Sequence, residues 1–367
     1  MSRLKCKRRN GYLVCYPHRR NKTESIIGRI LLSLGIAVAI IMTIYLFTSN
    51  QETFWVPQSA TEATSQPAMQ TTKTRSQIPE TENEASKLQA VEYLNRIRGE
   101  EGIPPVQLID LSGARFKAEY LARTNLFSHY DSEGRHPGYW YTRLDGGLYG
   151  VEENLFVVYT VGSGRPSARI AKINYSDAIY NLVFDDALSL WGHRDSLLDP
   201  CHNYVAMATS YFQNSTYAAR YYVVYMVAKW VEWISPPRYE GGRFTAEGYA
   251  APEMKPKFFA VYYASYESNP ASRQSYSYGD LYLCKVLDTP FAKCKDAQEP
   301  AGVFTVEKTQ DGRWRIKIDT SVDLDKPGLY TFMIIAEDLR GLKWSPLSLW
   351  GHARVGKCRI MLYTVAK

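Results

Sequence analysis

Residues 188–200 read LSLWGHRDSLLDP, which sets one histidine, His193, between a glycine and an arginine in an otherwise apolar and acidic run. Arg194 and Asp195 read as a helix-start pair whose charges orient that turn, in preference to catalytic groups. What His193 would meet depends on where the other histidines fall. The chain has six; besides His18 and His352 they are His129, His136, His193 and His202, all between residues 85 and 233. His129 stands in LFSHYDSEGRHPGYWYTR, and Glu152 and Glu153 stand in YGVEENLFV. Histidines and carboxyls supplied by separate elements are the raw material of a metal site or an acid–base pair. Spacing alone does not choose between such a site and scattered surface side chains. His136, just ahead of a proline, reads as solvated, and His202 beside Cys201 has no assigned place. Ser128 is a poor candidate nucleophile for His129, because side chains adjacent in sequence seldom meet in hydrogen-bond geometry.

Outward from this stretch, the flanking elements follow from periodicity. In ASKLQAVEYLNRIRGEEG the residues Leu88, Val91, Leu94 and Ile97 form a helical stripe that Gly102, Pro104 and Pro105 terminate. A second helix opens at Ser112 and carries Phe116, Tyr120 and Leu121. A third runs through YSDAIYNLVFDDALSL with Ser176 as cap and Ile179, Leu182 and Val183 facing inward. YVAMATSYF and YAARYYVVYMVAKW alternate as strands around the turn-like QNST. Helices on strands predict an α+β domain over residues 85–233. SPPRYEGG then reads as a break. Beyond it KFFAVYYASY, DLYLCKV, VFTVEK, RWRIKIDT, LYTFMIIAE and RIMLYTV predict a small all-β sandwich of immunoglobulin-like shape over residues 234–367, with Asp311-Gly312 as a hairpin turn.

The order EYLNRIRGEEGIPPVQL, FSHYDSEGR, VEENL, LWGHRDSLLDP and a Tyr-rich strand pair resembles the CAP superfamily of cysteine-rich secretory, antigen 5 and pathogenesis-related proteins, also called the SCP domain. The GHR form followed by Leu-Leu and Asp-Pro looks like the prokaryotic branch, particularly archaeal members. The resemblance implies an α-β-α sandwich over residues 85–233 with an open cleft floored by two histidines and one or two glutamates. Carried over by motif, SH gives His129, GEN falls on Glu152, Glu153 and Asn154 and selects Glu153, and GHR gives His193. Asn154 joins the cleft set, where it reads as fixing the loop backbone. Glu152 departs from the family's glycine, and Asp185 or Asp186 stands where many relatives carry a second glutamate.

Such a trio has two chemical uses. Two imidazoles and a carboxyl suit zinc or another divalent cation, whose bound water could attack an ester or amide. Without metal, Glu153 would hold one histidine in a chosen tautomer and shape a ligand cleft. Rows of tyrosine, 28 in all, read as half-buried packing or as a surface for sugar or peptide.

The outer parts of the chain set its context. The net charge of +7 is concentrated in residues 1–29, where basic side chains face Glu24 alone; the rest is near neutral, which argues against a nucleic-acid partner. Residues 30–47, ILLSLGIAVAIIMTIYLF, carry no charge and as a helix would reach about 27 Å. They predict one transmembrane helix after a basic cytoplasmic tail gripping anionic headgroups, with Trp55 at the interface. Residues 48–84, rich in Thr, Ser, Gln, Glu and Pro, read as a flexible linker. Cys201, Cys284, Cys294 and Cys358 would then lie on the outer side, where Cys284 and Cys294 are close enough to pair and Cys201 with Cys358 follows by elimination. Cys6, Cys15 and His18 lack zinc-ligand spacing. The combined expectation is a single-pass, extracytoplasmic module whose cleft binds a metal or an outside ligand (peptide, glycan or lipid). The alternative is a metal-assisted hydrolase of peptides or cell-envelope polymers.

Overall fold

The computed structural model describes residues 4–9, 12–17, 80–161, 173–214, 217–273, 275–287, 294, 297–348 and 355–367, in two compact units, Met1–Thr74 and Arg75–Lys367. In the first unit β1 (Leu4–Arg9) and β2 (Tyr12–Pro17) pair antiparallel from Leu4↔Pro17 to Arg9↔Tyr12. Asn10 and Gly11 lie between them in sequence, the pair most favoured in two-residue hairpin loops. The expected basic tail therefore contains paired strands. The predicted transmembrane segment, residues 30–47, lies outside the described residues. Among the described residues no helix is long and apolar enough to cross a membrane. The longest, α1 (Glu80–Glu100), has 21 residues but reads ETENEASKLQAVEYLNRIRGE, too charged for hydrocarbon. The expected single-pass anchor, and the extracytoplasmic placement that depended on it, are therefore not supported by the described residues.

In the second unit β3 (Gln107–Leu108) pairs parallel with β5 (Tyr204–Gln213), which pairs antiparallel with β6 (Tyr217–Ala228), which pairs antiparallel with β4 (Gly150–Val161). The order β3-β5-β6-β4 leaves β4 at an edge. β6 is buried along nearly its whole length, as its Val- and Tyr-rich run requires of a strand covered on both faces. Alternate residues go to opposite sides. Tyr222, Val224 and Met226 pack with α1 and α4 (Tyr175–Phe184), whereas Tyr221, Val223 and Tyr225 pack with α2 (Ser112–Thr124) and Tyr141 of α3 (Pro137–Asp145). The α1 stripe is narrower than its spacing predicts: Val91, Leu94 and Ile97 are buried but Leu88 is exposed. Asn174, not Ser176, caps α4, closing a reciprocal capping box with Asp177.

The remaining strands form two further antiparallel sheets. One has the order β11-β12-β8-β7, the other β10-β9-β13-β14. Their ranges are β7 (Val231–Glu240), β8 (Arg243–Ala250), β9 (Met254–Ala264), β10 (Asp280–Val286), β11 (Ala301–Lys308), β12 (Trp314–Ser321), β13 (Leu329–Asp338) and β14 (Lys357–Ala366). Phe244 and Phe332 stack face to face between the sheets, with centroids 4.3 Å apart. Of the expected break at SPPRYEGG, Ser235–Glu240 lie inside β7, where the prolines are tolerated because the pairing to β8 shifts register twice, and Gly241 and Gly242 make the turn into β8. Cys201 bonds Cys358, and Cys284 bonds Cys294.

These sheets correct the expected fold class. The second unit is mostly β, three four-stranded sheets, not an α-β-α sandwich with a small β-domain appended. Met333 of β13 and Leu362 of β14 enter the same apolar cluster as α2 and the Tyr221 side of β6, so one face of the first sheet is shared between helices and another sheet. A helical period cannot reveal that sharing, because the strands that complete the layer lie more than a hundred residues downstream.

Candidate functional site

Residues from four elements converge around Glu153. Register places Glu153 of β4 directly opposite Tyr225 of β6, and the Tyr225 hydroxyl donates to Glu153 Oε2 at 2.9 Å. The other carboxyl oxygen, Oε1, faces His129 Nδ1 at 2.8 Å. Lys117 of α2 reaches the same oxygen at 3.8 Å and donates to the carbonyls of Ser128 and His129, each at 2.7 Å. All of these side chains are buried. Burial pushes the His129 pKa below its usual value, although the hydrogen bond and charge of Glu153 oppose the shift. It likewise lowers Lys117, against the pull of Glu153 and Asp131. A neutral His129 whose Nδ1 faces an acceptor carries its proton there, leaving Nε2 as a lone-pair acceptor.

His193 sits in the first turn of α5 (Gly192–Leu197), preceded by two residues in the left-handed region, Leu190 (φ 55) and Trp191 (φ 67). Neither is glycine, so this backbone is strained and must be held by its surroundings. Asp186 holds it: one carboxyl oxygen meets His193 Nδ1 at 2.7 Å and accepts from Ser189, and the other accepts from Arg194 N–H at 3.0 Å. Burial alone would raise the Asp186 pKa, but the hydrogen bonds from His193, Ser189 and Arg194 outweigh it and hold the group below its usual value. The ring centroids of His129 and His193 lie 6.5 Å apart, 31° from parallel.

The other candidates separate cleanly. Asn154 donates to Ser196 Oγ at 3.0 Å and to Val224 O at 3.2 Å, tying α5 to the sheet. Asp185 is exposed at the end of α4, so of the two aspartates only Asp186 joins a histidine. Ser128 Oγ donates to Pro270 O and accepts from Tyr130 N–H. Arg194 pairs with Glu101, while Asp195 is buried and accepts from the amides of Leu347 and Ser348. His136 and His202, expected at the surface or unplaced, are both buried, and burial lowers each to about 3. For zinc or another divalent cation, among the described residues no group of three or more His, Cys, Asp or Glu side chains is placed to hold a metal ion. Each imidazole instead has its own carboxyl at Nδ1, Glu153 for His129 and Asp186 for His193, so His129, Glu153 and His193 do not close on one point as the expected trio.

Three contributors carry no motif. Lys117 hides in an ordinary amphipathic run, though a lysine on the buried face of a helix is itself a signal. Arg98, fully buried, donates to the carbonyls of Pro104, Leu197, Asp199 and His202 and so fixes the turn that follows α5. Tyr276 packs on His129 at 4.9 Å from a connection between β9 and β10, more than a hundred residues downstream.

No family model matches the chain, and no curated protein does. Among solved structures it is similar to the CAP domain of Enterococcal PrgA, at 16% identity and a TM-score of 0.27, over 41% of this chain and 64% of that one. The match thus spans less than two thirds of that structure's length, and at this level it carries no argument about fold or activity.

Proposed function

We propose that the chain is a CAP-type binding module of the prokaryotic, archaeal-like form that its GHR motif suggests, and that its cleft recognises a hydrogen-bonding organic ligand through His129 and His193 without metal. The observation that carries this reading is the matched pair of assignments: His129 Nδ1 is held by Glu153 and His193 Nδ1 by Asp186, with the rings 6.5 Å apart. Two oriented imidazole edges at that spacing suit a ligand offering donors such as amides or hydroxyls. Among the described residues no serine, threonine or cysteine hydrogen-bonds either imidazole, which favours binding over nucleophilic hydrolysis. The test is a panel of amide, phenol and sugar fragments added to the full chain, with histidine ring signals followed by NMR. At least one class should move the His193 signals and lose that effect in His193→Ala. A panel that leaves those signals unmoved would overturn the reading.

A further inference from the structure

The chain itself packs on His129: Tyr276, from the connection between β9 and β10, lies with its ring centroid 4.9 Å from the imidazole. Between β9 and β10 the backbone turns back towards the histidines and is held at four points. Glu267 N–H donates to Gly134 O at 3.0 Å. The Ser128 hydroxyl donates to Pro270 O at 2.6 Å. Ser277 N–H donates to the Tyr130 hydroxyl at 3.2 Å, and Glu153 N–H, on the edge strand β4, donates to the Tyr276 hydroxyl at 3.2 Å. In Ser275–Gly279 the serines and the glycine are exposed while Tyr276 and Tyr278 are half-buried, the alternation of an extended peptide with every second side chain turned inward. Tyr276 lies on His129, and Tyr278 meets His136 edge-on at 4.9 Å. Gly134 makes the approach possible: its φ is +77, and a Cβ there would fall 2.3 Å from Glu267 O.

We infer that Ser275–Gly279 is a resident stand-in for the ligand, and that the ligand of the histidine cleft is an extended peptide carrying a tyrosine whose ring takes the place of Tyr276. This rests on the cleft reading above. A peptide is favoured over a sugar because Ser275–Gly279 is itself peptide in extended alternation and makes its two hydrogen bonds there through a backbone amide, Ser277 N–H, and a phenol, Tyr276. A segment tethered in the same chain competes at millimolar effective concentration, so a free peptide enters efficiently once that segment is displaced.

The probe is N-acetyl-SYSYG-amide, the sequence of residues 275–279, titrated into the full-length protein with His129 ring signals and the dissociation constant as readouts. Tyr276→Ala should bind it about tenfold or more tightly than wild type. Gly134→Ala, whose added methyl would collide with Glu267 and push the start of the segment away, should do the same. Replacing the first tyrosine of the peptide by alanine should cost about tenfold in both variants. Circular dichroism identifies a variant that fails to fold, in which case the other decides. Folded variants with no gain, or tyrosine and alanine peptides that bind alike, would overturn the inference. If fragments move His193 while the peptide gains nothing, only the stand-in idea falls; if no probe moves either ring, the cleft reading falls with it.

Discussion

Acid should unfold this protein partly through two buried histidines. His136 and His202 are buried, and burial lowers each from 6.5 to about 3. A histidine whose folded pKa is depressed stays neutral in the fold while the unfolded chain takes up a proton. Its contribution to stability is therefore complete above about pH 6.5 and is lost as the pH falls from there towards the folded value. At about pH 5 each residue would have lost 1.5 units at 1.36 kcal/mol per unit, roughly 2 kcal/mol. Asp199 works the other way: burial raises it to about 7, so the folded state gains relative stability as the pH drops from there towards 3.8. The net wild-type profile mixes these signs, and the informative quantity is a difference between variants. His202→Asn keeps a donor near Ser196 O, which His202 Nδ1 meets at 3.0 Å. His136→Gln keeps a polar group near Thr331 Oγ1, 3.3 Å from His136 Nε2. Urea unfolding at about pH 7 and pH 5 should show each variant losing roughly 2 kcal/mol less than wild type over that interval. A variant that loses as much as wild type would refute the assignment of its histidine as buried and neutral.

Arg98→Met should destabilise the fold by about 3 to 5 kcal/mol, since it strips the donor from four buried carbonyls; a urea midpoint near wild type would show that those carbonyls find other partners. Replacing Cys201 and Cys358 together by alanine removes a crosslink spanning 157 residues and should cost about 4 to 5 kcal/mol on a chain-entropy account, read as the shift of the unfolding midpoint. Asn154→Ala should lower stability by about 1 to 3 kcal/mol while leaving fragment-induced shifts at His193 intact; loss of those shifts in a folded variant would make Asn154 a ligand contact.

Local pattern made some elements plain and concealed others. Val91, Leu94 and Ile97 declare α1, and the alternation in YAARYYVVYMVA declares β6, because those signals belong to the element itself. α3 was hidden in HPGYWYTR, where Pro137 at the first helical position was the available cue. β4 was hidden because Glu152 and Glu153 interrupt its apolar run, yet Glu153 is the residue the site needs. The loop reading of His136 failed for a related reason: what meets it are Thr331 and Tyr278, supplied by a strand and a connection far downstream. The motif residues His129, Glu153 and His193 were visible as chemistry, but Lys117 and Tyr276 become neighbours of His129 only through the tertiary fold.

Lys117 also shows in physical terms how the carboxyl of the motif trio is already partnered inside the fold. A cleft of two imidazoles and a carboxyl looks deficient in cations when only its motif residues are counted. In the fold the deficiency is already met: the Lys117 ammonium lies 3.8 Å from Glu153 Oε1 and is fixed by two carbonyl contacts at 2.7 Å. A divalent ion drawn to the same carboxyl would face that buried charge at short range, where the low local dielectric makes repulsion far stronger than in water. Asp186, the one further carboxyl near the pair, is committed to His193, Ser189 and the Arg194 amide, the contacts that hold the strained Leu190–Trp191 backbone. Freeing it for a metal would release that strain into the turn that positions His193. The residue types of a metal site are present, but Glu153 Oε1 and Nδ1 of each imidazole are already paired with neighbours that a motif does not reveal, and the contacts described take up Nδ1 rather than Nε2 of the two rings.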